Sequence, residues 1–260
     1  MLDWLNGLAG LLVGIIVGMT GVGGGSLMSP LLILLFGVAP ATAIGTDLWF
    51  AAITKAVGGT VHHRQQNVDF GIVGLLAIGS IPAAILTGFV IWWRGAQTHG
   101  GASLATALGI VLVVTAAFTF FRAPLARRAM ALSIRSHRAF PALKSLATIL
   151  CGVILGTLVT LTSVGAGALG ATFLLVLYPR RLSLSKLVGT DIAHAVPLAL
   201  IGGLIHLMIG TVDFGLLAML LIGSIPGIIL GSRLSLIVPE AVVRPLLALI
   251  LAFAGIKLLV

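Results

Sequence analysis

Long apolar runs separated by short polar breaks make up most of the chain. In the first half they fall at about 4–20, 27–38, 41–61, 69–93 and 102–121. A bilayer crossing takes about 20 mainly apolar residues, so four of these runs predict membrane-spanning helices. The run at 27–38 is too short: at about 1.5 Å per residue it reaches about 18 Å, against a hydrocarbon thickness of about 30 Å. It predicts a half-helix or a supplemented span, and the run near 167–178 is equally short.

The same pattern returns in the second half. Between Gly45 and Leu86, 19 of 42 positions are identical to those 144 residues later. Gly45-Thr46-Asp47 recurs as Gly189-Thr190-Asp191, His62 as His206, Val68-Asp69-Phe70-Gly71 as Val212-Asp213-Phe214-Gly215, and Gly79-Ser80-Ile81-Pro82 as Gly223-Ser224-Ile225-Pro226. Upstream the shift is 142, where Thr20, Val22, Gly23 and Gly25 match Thr162, Val164, Gly165 and Gly167, so the intervening loop has grown by two residues. Internal duplication of this kind is a mark of secondary transporters.

The predicted fold is therefore all-α and membrane-embedded: two internal repeats of four to five transmembrane segments each, eight to ten in total, each with a glycine-broken short helix. The first repeat spans 1–121, a basic cytoplasmic linker 122–144, and the second repeat 145–260. An odd number of crossings per repeat makes the repeats inverted and an even number makes them parallel. Five crossings place 12 Lys and Arg inside and 2 outside; four place 8 inside and 6 outside. Cytoplasmic loops carry the excess of positive charge, which favours inverted repeats with both termini periplasmic, in the cell inner membrane.

Composition agrees. The chain is 59% hydrophobic and 8% charged, with a mean hydropathy of +1.24, too apolar for a soluble domain. The net charge of +9 would suggest nucleic acid in a soluble protein, but the cations cluster in short loops as orientation signals, so no nucleic-acid partner is expected. Cys151 is the only cysteine, which rules out an intrachain disulfide or a cysteine-built metal site. The first apolar run follows no basic stretch and precedes no small-residue cleavage site, so it is expected to be a transmembrane helix and not a signal peptide.

The sharpest local feature is Thr20-Gly21-Val22-Gly23-Gly24-Gly25-Ser26, immediately before the short segment. A helix starting inside the membrane presents N–H groups and a positive dipole end to an anion, and Ser26 is placed to serve as N-cap and ligand. Thr162, Ser163, Gly165 and Gly167 form the matching break. Close helix packing through small residues is the bland alternative. Asp47 and Asp191 are carboxylates at membrane depth, which are expensive and face a partner or a conduction path; capping is the alternative. Lys55 is the one cation inside an apolar segment and is placed to reach Asp191 from the other repeat. His194, one turn beyond Asp191, makes a proton-relay candidate with it, and His62 and His206 are either coupling groups or helix-end hydrogen bonders. Asp69 and Asp213 read as N-terminal caps. No metal site and no cofactor are expected.

Taken together, the glycine-rich turn 20–26, Gly45-Thr46-Asp47-Leu48 with Ala51-Ala52-Ile53-Thr54-Lys55, His62-His63-Arg64-Gln65 and the paired Val-Asp-Phe-Gly and Gly-Ser-Ile-Pro motifs resemble the TauE/SafE sulfite exporter family, also called the four-toluene-sulfonate uptake permease family, in a Gly-Thr-Asp form. The resemblance spans essentially the whole chain. It implies a non-enzymatic inner-membrane permease for small sulfur-containing anions such as sulfite or organosulfonates. The expected mechanism is alternating access, with the anion between the breaks at 20–26 and 162–167 and with Thr46, Lys55 and Thr190 nearby. An anion channel, or an intramembrane hydrolase using Ser26 and His62, are the competing readings. A chain this small is compatible with a homodimer.

Overall fold

The computed structural model describes residues 3–20, 25–64, 67–94, 101–135, 141–234 and 240–260, which form eleven α-helices. In chain order they are α1 Asp3–Thr20, α2 Gly25–Phe36, α3 Pro40–Arg64, α4 Phe70–Trp93, α5 Gly101–Phe120, α6 Arg122–Arg135, α7 Pro141–Thr162, α8 Ala168–Leu177, α9 Leu184–Met208, α10 Phe214–Leu234 and α11 Glu240–Leu259. Among the described residues, six helices (α4, α5, α7, α9, α10 and α11) are long and apolar enough to cross a membrane, while α1, α2 and α8 contain shorter apolar stretches. The five helices before α6 match the five apolar runs to within three residues.

The stretch read as a linker begins with the helix α6, and α7 starts at Pro141, since proline fits the first turn of a helix, where its missing N–H costs nothing. Lys144 therefore sits in the first turn of α7, with its Nζ 4.4 Å from the centre of the Tyr178 ring.

The packing is built on glycines. An added Cβ at Gly10 or Gly14 of α1 would strike the backbone of Leu220 or Ser224 in α10, and one at Gly152 or Gly156 of α7 would strike the backbone of Leu76 or Ser80 in α4. Each of these positions maps onto its mate by the sequence shifts of 142 and 144. Lipid offers no hydrophobic drive to press helices together, so close van der Waals approach through small residues supplies the attraction. Both pairs run parallel, since ascending positions on one helix meet ascending positions on the other.

At the centre, α3 lies against α9. Gly45 approaches His206, Trp49 approaches Gly203, and the Trp49 indole donates to the Gly203 carbonyl at 3.0 Å. Rising numbers on α3 meet falling numbers on α9, so these two corresponding helices run antiparallel. Large apolar side chains such as Ile78, Ile85, Phe89, Ile222, Leu249 and Phe253 point outward, whereas Thr46, Asp47, Lys55, Asp191, His194 and His206 are all buried. A chain that is apolar outside and polar inside is organised for lipid, with its charged residues facing the bundle interior.

Candidate functional site

The second break has a defined shape. Helix α7 ends at Thr162, whose hydroxyl donates to the Leu158 carbonyl at 2.7 Å and accepts from the Val164 N–H at 3.2 Å. The chain then turns through Ser163 at φ 58°, Gly165 at φ 120° and Gly167 at φ 135° before α8 begins. Glycine takes such angles freely, but serine does not, and a left-handed serine stores about 1–2 kcal/mol. Within the break, the Gly165 carbonyl accepts from the Gly170 N–H and the Gly167 carbonyl from the Ala171 N–H, both at 3.1 Å.

Buried ionisable residues converge on this turn. Lys55 reaches out of the first repeat and donates its amino group to the carbonyl of Ala166. It lies in the field of both Asp191 and Asp47. Asp47, fully buried, accepts through Oδ2 from the Ser29 hydroxyl at 2.6 Å and from the Ser29 N–H at 3.2 Å. The carboxyl also lies close enough to Ser163 to interact with it. Even so, neither Asp47 Oδ1 nor Ser163 Oγ has a partner of hydrogen-bond geometry among the described residues. Asp191 packs on Gly170, third residue of α8, where any Cβ would collide with its Oδ1. Each Gly-Thr-Asp aspartate thus rests near the start of the short helix of its own repeat.

The sequence-predicted residues divide into three groups. The structure gathers Lys55, Asp47, Asp191, Ser163, Gly165 and Gly167 around one turn. It sends others elsewhere. The Thr46 hydroxyl accepts from the Asp213 N–H at 3.1 Å and the Thr190 hydroxyl from the Asp69 N–H at 3.0 Å, so this symmetric pair ties each central helix to the start of the other repeat's fourth helix. Ser26 is the second residue of α2, inside the helix, and is therefore not its N-cap. His194 does not bond Asp191: its Nε2 meets Ser80 Oγ of α4 at 2.8 Å, and its Nδ1 has no partner among the described residues. His206 holds the end of α9 through Thr211 and the Thr160 carbonyl. Residues 21–24, including Gly23 and Gly24, lie outside the described residues, as do the side chains of Thr20 and His62; Gly25 opens α2.

Three participants were not identified from sequence. Ser29 and Ser80 were hidden because a serine inside a helix is usually a packing residue. Arg122 was counted with the linker's orientation charges, yet it is buried, 7% exposed, and lies in the field of Asp191. Its position at the first residue of α6, tight against the end of α5, is the signal that separates it from the other linker arginines. Asp69 and Asp213 cap their helices as expected, accepting from Ile72 and Leu216 N–H, and Asp69 also pairs with Arg181.

Lys55, Asp47, Asp191 and Ser163 thus gather around one buried turn of a bundle whose outward face is apolar. Relatives agree with a transport role. Residues 7–258 match the family described as "Sulfite exporter TauE/SafE". The "Probable membrane transporter protein YjnA" of Bacillus subtilis (strain 168) is 41% identical over 97% of this chain and 98% of its own length. The "Probable membrane transporter protein YdhB" of the same organism is 31% identical over 95% and 96%. No solved structure matches the chain at a significant level. The chain belongs to the TauE/SafE family of membrane transporters.

Proposed function

We propose that this transporter is a secondary carrier of small sulfur-containing oxyanions, sulfite or organosulfonates, working by alternating access between two inverted repeats. The observation that carries the reading is Lys55: a buried cation from one repeat directed at the backbone break of the other. The anion would lie beside Lys55 and Ser163 at the turn 163–167, where the amino group, the hydroxyl and backbone dipoles give a small oxyanion its contacts.

Several features support the inverted arrangement. Corresponding helices α3 and α9 run in opposite directions, and the pairing of α1 with α10 and of α4 with α7 is unchanged when every helix is exchanged for its repeat mate. The substrate class is supported by the family description, and the inner-membrane placement, with termini outside, by the distribution of Lys and Arg.

Counterflow of labelled sulfoacetate in proteoliposomes, with sulfite, thiosulfate, taurine and sulfate as competitors, tests the proposal. Saturable exchange by the wild type is expected, falling at least about tenfold in Lys55→Gln, the loss of one charge-assisted hydrogen bond. Unsaturable electrical conductance would mean a channel, and exchange undiminished in Lys55→Gln would remove the proposed site.

A further inference from the structure

Resting on the reading of an anion carrier, we propose that Asp47 is the carrier's proton site: a proton binds its carboxylate whenever the transported anion occupies the turn beside Lys55 and Ser163, so that anion and proton move together.

The argument begins with a count of charges. Within the buried cluster, Lys55 and Arg122 stand against Asp47 and Asp191. Empty, these four side chains balance. An added monoanion leaves one uncompensated negative charge among buried side chains, and such a charge is neutralised by taking up a proton.

Asp47 is the carboxylate equipped to take that proton. Asp191 lies in the field of two cations, Lys55 and Arg122, whereas Asp47 has Lys55 alone. The other groups packed against this part of α3 are committed elsewhere. Ser29 from α2 serves Oδ2 only. Asp213 of α10 caps its own helix at Leu216. His206 of α9 bonds Thr211 and Thr160, and His194 of the same helix bonds Ser80.

The remaining oxygen, Oδ1, is buried with no hydrogen-bond partner among the described residues, and so is the hydroxyl of Ser163, which lies close enough to interact with this carboxyl. A hydroxyl both donates and accepts. Ser163 can therefore donate to the ionised carboxylate or accept from the protonated one, and the contact survives both states. The step is a proton transfer alone: carboxylate plus proton gives carboxylic acid on arrival of the anion, and the proton departs with it on the far side. Ser163 belongs to the second repeat and Asp47 to the first, so the proton sits where movement of one repeat against the other opens or closes the contact.

The experiment uses the full-length protein in proteoliposomes, with the membrane potential clamped by potassium and valinomycin and an indicator of internal pH. The probe is labelled 2-hydroxyethanesulfonate or methanesulfonate, whichever the wild type exchanges, since each is a monoanion of constant charge around neutral pH. With the outside acid, the wild type is expected to accumulate probe by about tenfold per unit of pH gradient for one coupled proton, and the lumen acidifies as probe enters. Whatever rate of exchange Asp47→Asn retains, it is expected to show neither gradient-driven accumulation nor acidification. An unmoved lumen pH during wild-type uptake overturns the proton site, as does gradient-driven accumulation in Asp47→Asn. If the asparagine variant does not fold, Asp47→Glu takes its place: accumulation is expected with an altered dependence on external pH, and a dependence identical to the wild type overturns the site. Absence of counterflow for both probes removes the carrier reading itself, and the proton site with it.

Discussion

The loop between α2 and α3 and its counterpart between α8 and α9 began as copies, and they now do different things. In the second repeat the loop is two residues longer and carries Arg180 and Arg181. Arg181 grips Asp69 with its Nε and terminal nitrogen at 2.8 and 3.0 Å. Tyr178 is pinned by the Thr148 hydroxyl at 2.7 Å and covered by Lys144 and Arg181. In the first repeat the corresponding positions are Phe36 for Tyr178 and Asn6 for Thr148, and together with Val38 and Asp213 they line a cavity of about 340 Å³. One end of the molecule is tied between repeats and the equivalent end is open.

Duplication preserved packing and let chemistry diverge. Gly10 and Gly14 keep the role of Gly152 and Gly156, and Thr46 keeps that of Thr190. By contrast Lys55 stands opposite Ala199, His194 opposite Phe50, Ser29 opposite Ala171 and Ser163 opposite Gly21. Of these four, Lys55 bonds the Ala166 carbonyl within the break and Ser29 bonds Asp47 beside it, whereas His194 bonds Ser80.

That comparison can be broken at graded strength. The largest stability effect is expected from Lys55→Met, which leaves Asp47 and Asp191 without their shared cation and costs about 3–5 kcal/mol, whereas Ala199→Met in the other repeat costs far less. Thermal unfolding in detergent reads both, and equal losses would deny the asymmetry. Next come Gly10→Val and Gly152→Val. Each forces side-chain atoms onto a facing backbone and is expected to destabilise by about 1–3 kcal/mol, the two losses being equal within error because the contacts are equivalent. A loss confined to one repeat would refute the shared packing.

Thr46→Val and Thr190→Val each remove the acceptor of a backbone N–H, costing about 1 kcal/mol. Substrate affinity should be unchanged in both, since neither hydroxyl points at the break; a weakened affinity in competition assays would return these threonines to the site. The smallest effect on stability belongs to Arg181→Gln. Its side chain is 58% exposed, and such a surface pair contributes less than about 1 kcal/mol. The variant is instead expected to raise cysteine-reagent labelling at a cysteine placed at position 183, as the tied end loosens.

Much of the fold was legible from sequence. Length and apolarity set the helix boundaries, and the repeat set the correspondence between halves. The two Val-Asp-Phe-Gly motifs named their capping aspartates because an N-cap is a local geometry that the chain satisfies within a few residues. The site was only partly legible. Lys55 and Asp47 stood out because charge inside an apolar segment is costly wherever it points. The direction of a side chain is another matter: Thr46 adjoins Asp47 in sequence yet faces the other repeat's Asp213.

What the sequence determined by itself, then, was a duplicated, lipid-embedded bundle with two glycine breaks and a few buried charges, since hydropathy, helix length and local capping depend only on near neighbours along the chain. Tertiary structure alone decided that Lys55 bonds Ala166, that His194 turns to Ser80 and not to Asp191, that Arg122 belongs to the interior, and that Asp47 meets Ser163. Each of these brings together segments far apart in sequence, and which faces meet is fixed by how glycines let backbones approach across the bundle.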